Sequence, residues 1–155
     1  MSLFDILPIE GVMPTVRVSH KKALLEAIAE QAGRMTLIAP RVIFDTLLQR
    51  ERLGSTGIGG GIAIPHGKFD GLDRLVGLFA RVEKPIAFDS LDGEPVDLVF
   101  VLMAPESAGA DHLKGLAKVA RALRNPATTA KLRATRDADA IHALLTQSVE
   151  TSKAA

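Results

Sequence analysis

Four histidines stand among 155 residues that include no cysteine. One of them, His66, closes the segment RERLGSTGIGGGIAIPHGK, Arg50 to Lys68, in which five glycines precede Pro65-His66-Gly67. Imidazole is the side chain whose neutral, nucleophilic form is plentiful near neutral pH. Pro65 stiffens the approach to it, Gly67 removes a side chain that could crowd it, and Lys68 supplies a cation nearby. A nucleophilic imidazole needs one nitrogen free and the other held by a hydrogen bond that sets the tautomer. A backbone carbonyl of a glycine-rich loop can provide that bond. The chemistry that suits these residues is acceptance of a phosphoryl group. Its oxygens would be met by backbone N–H groups, hydroxyls and a guanidinium. Ser55, Thr56, Gly67 and Lys68 are therefore the phosphate-binding candidates.

The glycines do not spell a nucleotide loop. G-x-x-x-x-G-K-[ST] would need glycine at Ile62 and a hydroxyl at Phe69. G-x-G-x-x-G would need its third glycine at Ile62, after Gly57 and Gly59. No H-E-x-x-H or comparable ligand spacing occurs, so neither a metal nor another cofactor is expected.

The elements that must hold this segment follow from periodicity. Val12 to Val18 partly alternates and reads as a strand, which Pro14 pushes to a sheet edge. Ser19 is a candidate cap for a helix carrying Leu24, Leu25, Ile28, Ala29 and Ala32, with Gly33 as its stop. Pro40 suits the first turn of a second helix, whose stripe is Ile43, Phe44, Leu47 and Leu48 and whose end is Gly54. Arg50, Glu51 and Arg52 then fall on its last turn, where cations suit the negative end. Ile62 to Ile64 reads as a short strand before the loop that presents His66. Leu75–Val82 and Val96–Ala104 read as central strands, joined across Asp92-Gly93. Asp111 is a candidate cap for a helix with Leu113, Leu116, Ala120 and Leu123 on one face. Asn125-Pro126 starts a short helix to about Leu132. Asp137 caps the last helix, with Ile141, Leu144 and Leu145 inward and a frayed tail over about 150–155. The expected fold is α+β, an α/β/α sandwich with a mixed, mostly central sheet flanked by helices on both faces, in one domain over 1–155.

Composition excludes several partners. A net charge of +1 predicts no attraction to nucleic acid or anionic lipid. Six phenylalanines without Trp or Tyr make a poor stacking platform for single strands. Without cysteine there is no disulfide or thiolate chemistry, which is compatible with a reducing, cytoplasmic setting. The start MSLFDILPIEG carries acids and no basic region, unlike a signal peptide. The longest strongly apolar run, Leu98 to Pro105, is too short for membrane insertion.

Three stretches carry a family resemblance: LLQRERLGSTGIGGGIAIPHGK, PIAFDSLDGEPVDLVFVLMAP and DHLKGLAKVARAL. Together they resemble enzyme IIA proteins of the bacterial phosphoenolpyruvate-dependent phosphotransferase system. The type they resemble most is the nitrogen-regulatory one, related to the fructose and mannitol type. The resemblance implies a phosphotransferase component, phosphorylated on Nε2 of His66 by an HPr-like phosphocarrier that is itself phosphorylated on histidine. It implies that Arg50 neutralises the phosphoryl oxygens and that His112 is the second active-site histidine, a hydrogen-bond donor to the phosphoryl group. The residues alone leave Arg50 as a helix-terminal charge and His112 as either site or solvated helix start. A first-turn position for His112 does disfavour imidazolium and favour a nearby anion. His20 and His142 lack a motif and read as surface residues. Gly60 stands where many relatives have Asn, which puts the order of the loop in question.

The resemblance further implies an output through proteins whose binding depends on phosphorylation. The lack of a membrane or B domain in this sequence favours that role. The alternatives are a fructose/mannitol-type transport component that passes phosphate to a separate IIB domain, and a non-catalytic module of the same fold. Ile58, Ile62 and Leu116 are the expected apolar docking residues.

Overall fold

The computed structural model describes residues 2–154, and the side chains of residues 2–147. The chain opens with one helical turn, α1 (Leu3–Ile6), a 3₁₀ turn (Ile9–Gly11) and strand β1 (Val12–Val16). Helices α2 (Lys21–Thr36) and α3 (Pro40–Leu53) follow. The short strands β2 (Gly57–Gly59), β3 (Ile62–Ala63) and β4 (His66–Phe69) lead to the long strands β5 (Val76–Ile86) and β6 (Val96–Pro105). Helices α4 (Ala110–Leu123), α5 (Pro126–Ala134) and α6 (Ala138–Ala154) complete the trace.

The sheet runs β1-β5-β6-β3-β2, with β4 continuing beyond β3 along the same side of β6. It is mixed: β5 and β6 are antiparallel, while β1 is parallel to β5, and β3 and β4 are parallel to β6. The pleat of β6 explains why its sequence is apolar without a break. Leu98, Phe100, Leu102 and Ala104 join the core under α1, α4, α5 and α6, whereas Val99, Val101 and Met103 join the core under α2 and α3. Successive side chains of a strand point to opposite faces, and here both faces are covered. This is the expected sandwich, and Pro14 does lie on an edge strand.

Several local expectations are corrected. His20, not Ser19, caps α2, its Nδ1 accepting from the Ala23 N–H at 3.2 Å. Helix α2 continues past Gly33 to Thr36 and ends on Leu37, with φ of 65°. Gly33 meets Pro40 of the next helix instead of stopping its own. The Pro40 start and Gly54 end of α3 are as expected. Strand β5 extends to Ile86 through a register shift after Arg81, and the Gly93 N–H donates to the Ser90 carbonyl in the turn that follows. Gly109 caps α4, so Asp111 lies in the first turn. The buried face of α4 is His112, Gly115, Val119, Ala122 and Leu123, while Leu113 is 69% exposed. Of the expected face, Leu123 is buried and Leu116 and Ala120 pack partly against the core, so only Leu113 is misplaced. The helix crosses β6 at its smallest residue: a Cβ on Gly115 would lie 3.1 Å from Leu102 Cδ2.

Asn125 caps α5 by accepting from the Ala127 and Thr128 N–H groups, and Asp137 accepts from the Ala140 N–H at the start of α6. Ile141 and Leu145 are buried, with Leu144 packed partly against them. His142 is not a surface residue: its Nε2–H donates to the Leu7 carbonyl at 2.7 Å and ties α6 to the chain after α1. Neither α1 nor the 3₁₀ turn was expected, being too short to show a period. The expected frayed tail lies outside the residues whose side chains are described. No helix among the described residues is long and apolar enough to cross a membrane.

Candidate functional site

Strand β6 assembles the site. β3 and β4 both run beside it, interrupted only at Ile64-Pro65, where the Leu102 N–H donates to the Pro65 carbonyl at 3.0 Å. His66 is therefore the first residue of a strand, and not part of a pliant loop. Its register partner is Leu102, so its side chain shares the face covered by α4. Gly115 of α4 rests on that same Leu102, and His112 lies three residues earlier on the same buried face. The two histidine rings consequently meet edge to face, with centroids 5.5 Å apart and planes at 65°.

The far end of α3 supplies the third group. Helix α3 packs against β4 and ends with Arg50 on its last turn. The Arg50 Nε–H donates to His66 Nε2 at 3.3 Å, and its Nη1 donates to the Gly54 carbonyl at 2.8 Å. The other ring nitrogen of His66 lies 2.8 Å from the Ile64 carbonyl oxygen. A carbonyl only accepts, so Nδ1 carries the proton and Nε2 carries the lone pair. The His66 ring is half-buried.

Burial lowers the basicity of both rings. Burial holds the basicity of His66 below its ordinary 6.5; the Ile64 hydrogen bond and the Glu51 charge oppose that shift, while Arg50 adds to it. His112 is also lowered, by burial first, then by the neighbouring His66 and by Lys68. His112 is 9% exposed, and its Nε2 is buried with no hydrogen-bond partner among the described residues. A buried ring nitrogen without a partner is costly, and an external polar group that reached it would relieve that cost.

The remaining candidates sort differently. Lys68 is exposed, two residues beyond His66 on the same face of β4. Ser55 is not free to bind phosphate: its hydroxyl donates to the Phe88 carbonyl at 2.6 Å and accepts from the Gly57 N–H at 3.0 Å. Thr56 is 5% exposed, with its N–H and its hydroxyl both donating to the Glu51 carboxylate. Gly67 has its backbone in the ladder with β6, and a Cβ there would sit 3.0 Å from Thr46 Cγ2. Its bareness makes room for α3 and not for the imidazole. These three residues build the frame behind His66.

Glu51 escaped the sequence reading. It was grouped with its charged neighbours, and nothing in local spacing distinguishes a carboxylate that turns inward from one that turns out.

Gly60 needs no amide side chain to be ordered. Gly59, Gly60 and Gly61 form a turn at φ of 98°, 66° and 81°, conformations that favour glycine. The Gly60 N–H donates to Asp92 at 2.9 Å, and its carbonyl accepts from Arg133 at 2.6 Å. Of the expected docking residues, Ile58 is 40% exposed but Ile62 is 6% exposed and belongs to the core. Leu116 packs partly against that core. Leu53, one turn past Arg50, and Leu113, next to His112, are 85% and 69% exposed. Among the described residues no three His, Asp or Glu side chains gather as a metal site.

Comparison with known proteins agrees with this geometry. Residues 5–148 match the model of the family described as phosphoenolpyruvate-dependent sugar phosphotransferase system, EIIA 2. A nitrogen regulatory protein of Bradyrhizobium diazoefficiens is 51% identical over 145 residues, covering 94% of this chain and 95% of its own length. A fructose-specific EIIA component of Haloferax volcanii is 31% identical over 146 residues, covering 94% of this chain and 95% of its own length. The crystal structure of nitrogen regulatory protein IIA-Ntr from Neisseria meningitidis superposes with a TM-score of 0.88 at 36% identity, over 93% of this chain and 99% of that one. With the family model matched over residues 5–148 and a relative 51% identical over nearly the whole chain, this chain is a member of the phosphotransferase-system EIIA 2 family.

Proposed function

We propose that this protein carries a phosphoryl group on Nε2 of His66 and acts as a nitrogen-regulatory output of the phosphotransferase system. One observation carries the reading. The Ile64 carbonyl commits Nδ1 as the protonated nitrogen, which leaves the Nε2 lone pair beside Arg50 and beside the ring of His112, whose own Nε2 has no hydrogen-bond partner among the described residues.

The step is an in-line exchange between histidines. The Nε2 lone pair of His66 forms the new N–P bond while the N–P bond of the donor breaks, and that bond's electron pair returns to the donor imidazole. The Ile64 carbonyl continues to accept from Nδ1–H and steadies the positive charge that grows on the ring. Arg50 moves from the lone pair onto the phosphoryl oxygens, His112 donates to them, and Lys68 adds charge from the rim. Phosphoryl transfer has a loose transition state, so positioning and charge dispersal supply most of the acceleration. A histidine-phosphorylated carrier of the HPr kind is the donor this chemistry suits. Leu53, Ile58 and Leu113 are exposed apolar side chains on which it would dock.

The higher identity to a nitrogen regulatory protein than to a fructose-specific component favours regulation over sugar transport. Phosphorylation adds about 1.5 to 2 negative charges to the apolar docking face. Partners that bury that face in uncharged form should release on phosphorylation.

The test is incubation with phosphoenolpyruvate and the general phosphotransferase proteins, followed by intact mass. One acid-labile phosphoryl group on the wild type and none on His66→Ala is expected. An unlabelled wild type defeats the proposal, and transfer of the label to a separate IIB domain would support the transport role instead.

A further inference from the structure

Of two adjacent residues of α3, one bonds the His66 ring and the other begins a chain of bonds that ends on it. Arg50 reaches Nε2 directly. Glu51 turns inward, is 7% exposed, and accepts from the Thr56 N–H, the Thr56 hydroxyl and Lys21 Nζ, the last at 3.0 Å. Lys21 is itself held over the Phe88 ring, 4.3 Å from its centroid, and lies 3.8 Å from Asp89. From Thr56 the chain of bonds continues. The Thr56 carbonyl accepts from the Ile64 N–H at 3.0 Å, and the Ile64 carbonyl accepts from His66 Nδ1–H at 2.8 Å.

We infer that Glu51 is a positioning residue for His66, acting through Thr56 and Ile64 to hold the imidazole as the Nδ1–H tautomer with Nε2 turned to the phosphoryl group. The segment between α3 and β4 is rich in glycine and has little stiffness of its own. A buried carboxylate that takes up both donors of Thr56 pins that segment to the end of the helix that also carries Arg50. The same anchor therefore sets the distance between the guanidinium and the nucleophile. A carboxylate this buried is tolerated because Lys21 and both Thr56 donors satisfy it. The inference rests on His66 being the phosphoryl acceptor, but tautomer and transfer are measured separately.

The test uses long-range ¹H–¹⁵N spectra of the imidazole nitrogens in the full, labelled chain at neutral pH, alongside the rate of phosphoryl acceptance. The wild type should show His66 protonated on Nδ1 alone. Glu51→Ala should populate the Nε2–H form and slow acceptance about tenfold or more, because a small misplacement of a nucleophile is costly. Thr56→Val, which keeps the shape and the amide but loses the hydroxyl, should move both readouts the same way by less. Glu51→Gln retains one acceptor for Thr56 and should recover most of the wild-type tautomer. A folded Glu51→Ala with the wild-type tautomer overturns the inference, whatever its rate. Should Glu51→Ala fail to fold, an unshifted tautomer in Thr56→Val overturns it instead. A wild type that accepts no phosphoryl group defeats the proposed function, while the tautomer comparison still decides this one.

Discussion

His66 has two nitrogens with separate duties, and each duty has a measurable consequence. Burial and Arg50 hold its basicity below the ordinary 6.5. Phosphoryl acceptance should therefore be flat through neutrality and fall only below about pH 6.5. An apparent value above 6.5, in the rate profile or by NMR titration of the ring, would contradict the burial argument. The same depression has a stability sign. Between the folded value and 6.5 the unfolded chain binds more protons, so the contribution is fully present above 6.5 and declines as pH falls through that window. His112 is lowered as well and acts in the same direction. Arg50→Ala should cut acceptance by about 10²–10³-fold, the usual loss for a donor aimed at developing charge. Arg50→Lys should recover little, because Arg50 uses Nε toward the ring and Nη1 toward Gly54, a fork that lysine lacks. Single-turnover rates with a phosphorylated donor measure both.

At the scale of elements, the meeting of the two histidines depends on how closely α4 approaches β6. Gly115 sets that distance, since a Cβ would stand 3.1 Å from Leu102 and 3.2 Å from Leu75. Gly115→Leu should cost about 1–3 kcal/mol by overpacking. Urea titration would measure this, and the loss of the ring-to-ring contact between His66 and His112 in NOE spectra would report the displacement. A variant with wild-type stability and an intact contact would show that α4 is not held at this point. Of the face the sequence pointed to on this helix, Leu116, Ala120 and Leu123 pack on the core and Leu113 does not. Leu113 has the size of a core residue, yet near the start of the helix the inward positions go to His112 and Gly115, because the strand beneath already carries Leu102 and Phe100. The same tertiary demand turned His112 inward, where its local sequence left both a site residue and a solvated helix start open.

Across the whole molecule, β6 belongs to two cores at once. Leu98, Phe100, Leu102 and Ala104 face one helical layer, and Val99, Val101 and Met103 face the other. Neither layer can keep its packing once that strand is lost. Unfolding should thus be a single transition, with far-UV circular dichroism and methyl NMR signals from both layers coinciding. Leu102→Ala should lower stability by about 2–5 kcal/mol without splitting the transition. Two separated transitions would show that the layers fold independently.

What the sequence determined by itself was local or periodic. Continuous apolar runs required a sheet covered on both sides. Pro40, Gly54, Asn125 and Asp137 marked helix ends by backbone chemistry that depends only on near neighbours. The run ending in Pro65-His66 marked the candidate nucleophile, and its family likeness pointed to Arg50 and His112, which the fold brings beside it. Only the tertiary structure decided what each hydroxyl and carboxylate does. Ser55 and Thr56 look alike to the chain as candidate phosphate donors, yet their bonds go to Phe88 and Glu51, which lie across the fold and around a turn. Hydrogen-bond partners are chosen by three-dimensional proximity, and burial decides which charges turn inward. No residue's own type or spacing carries that information.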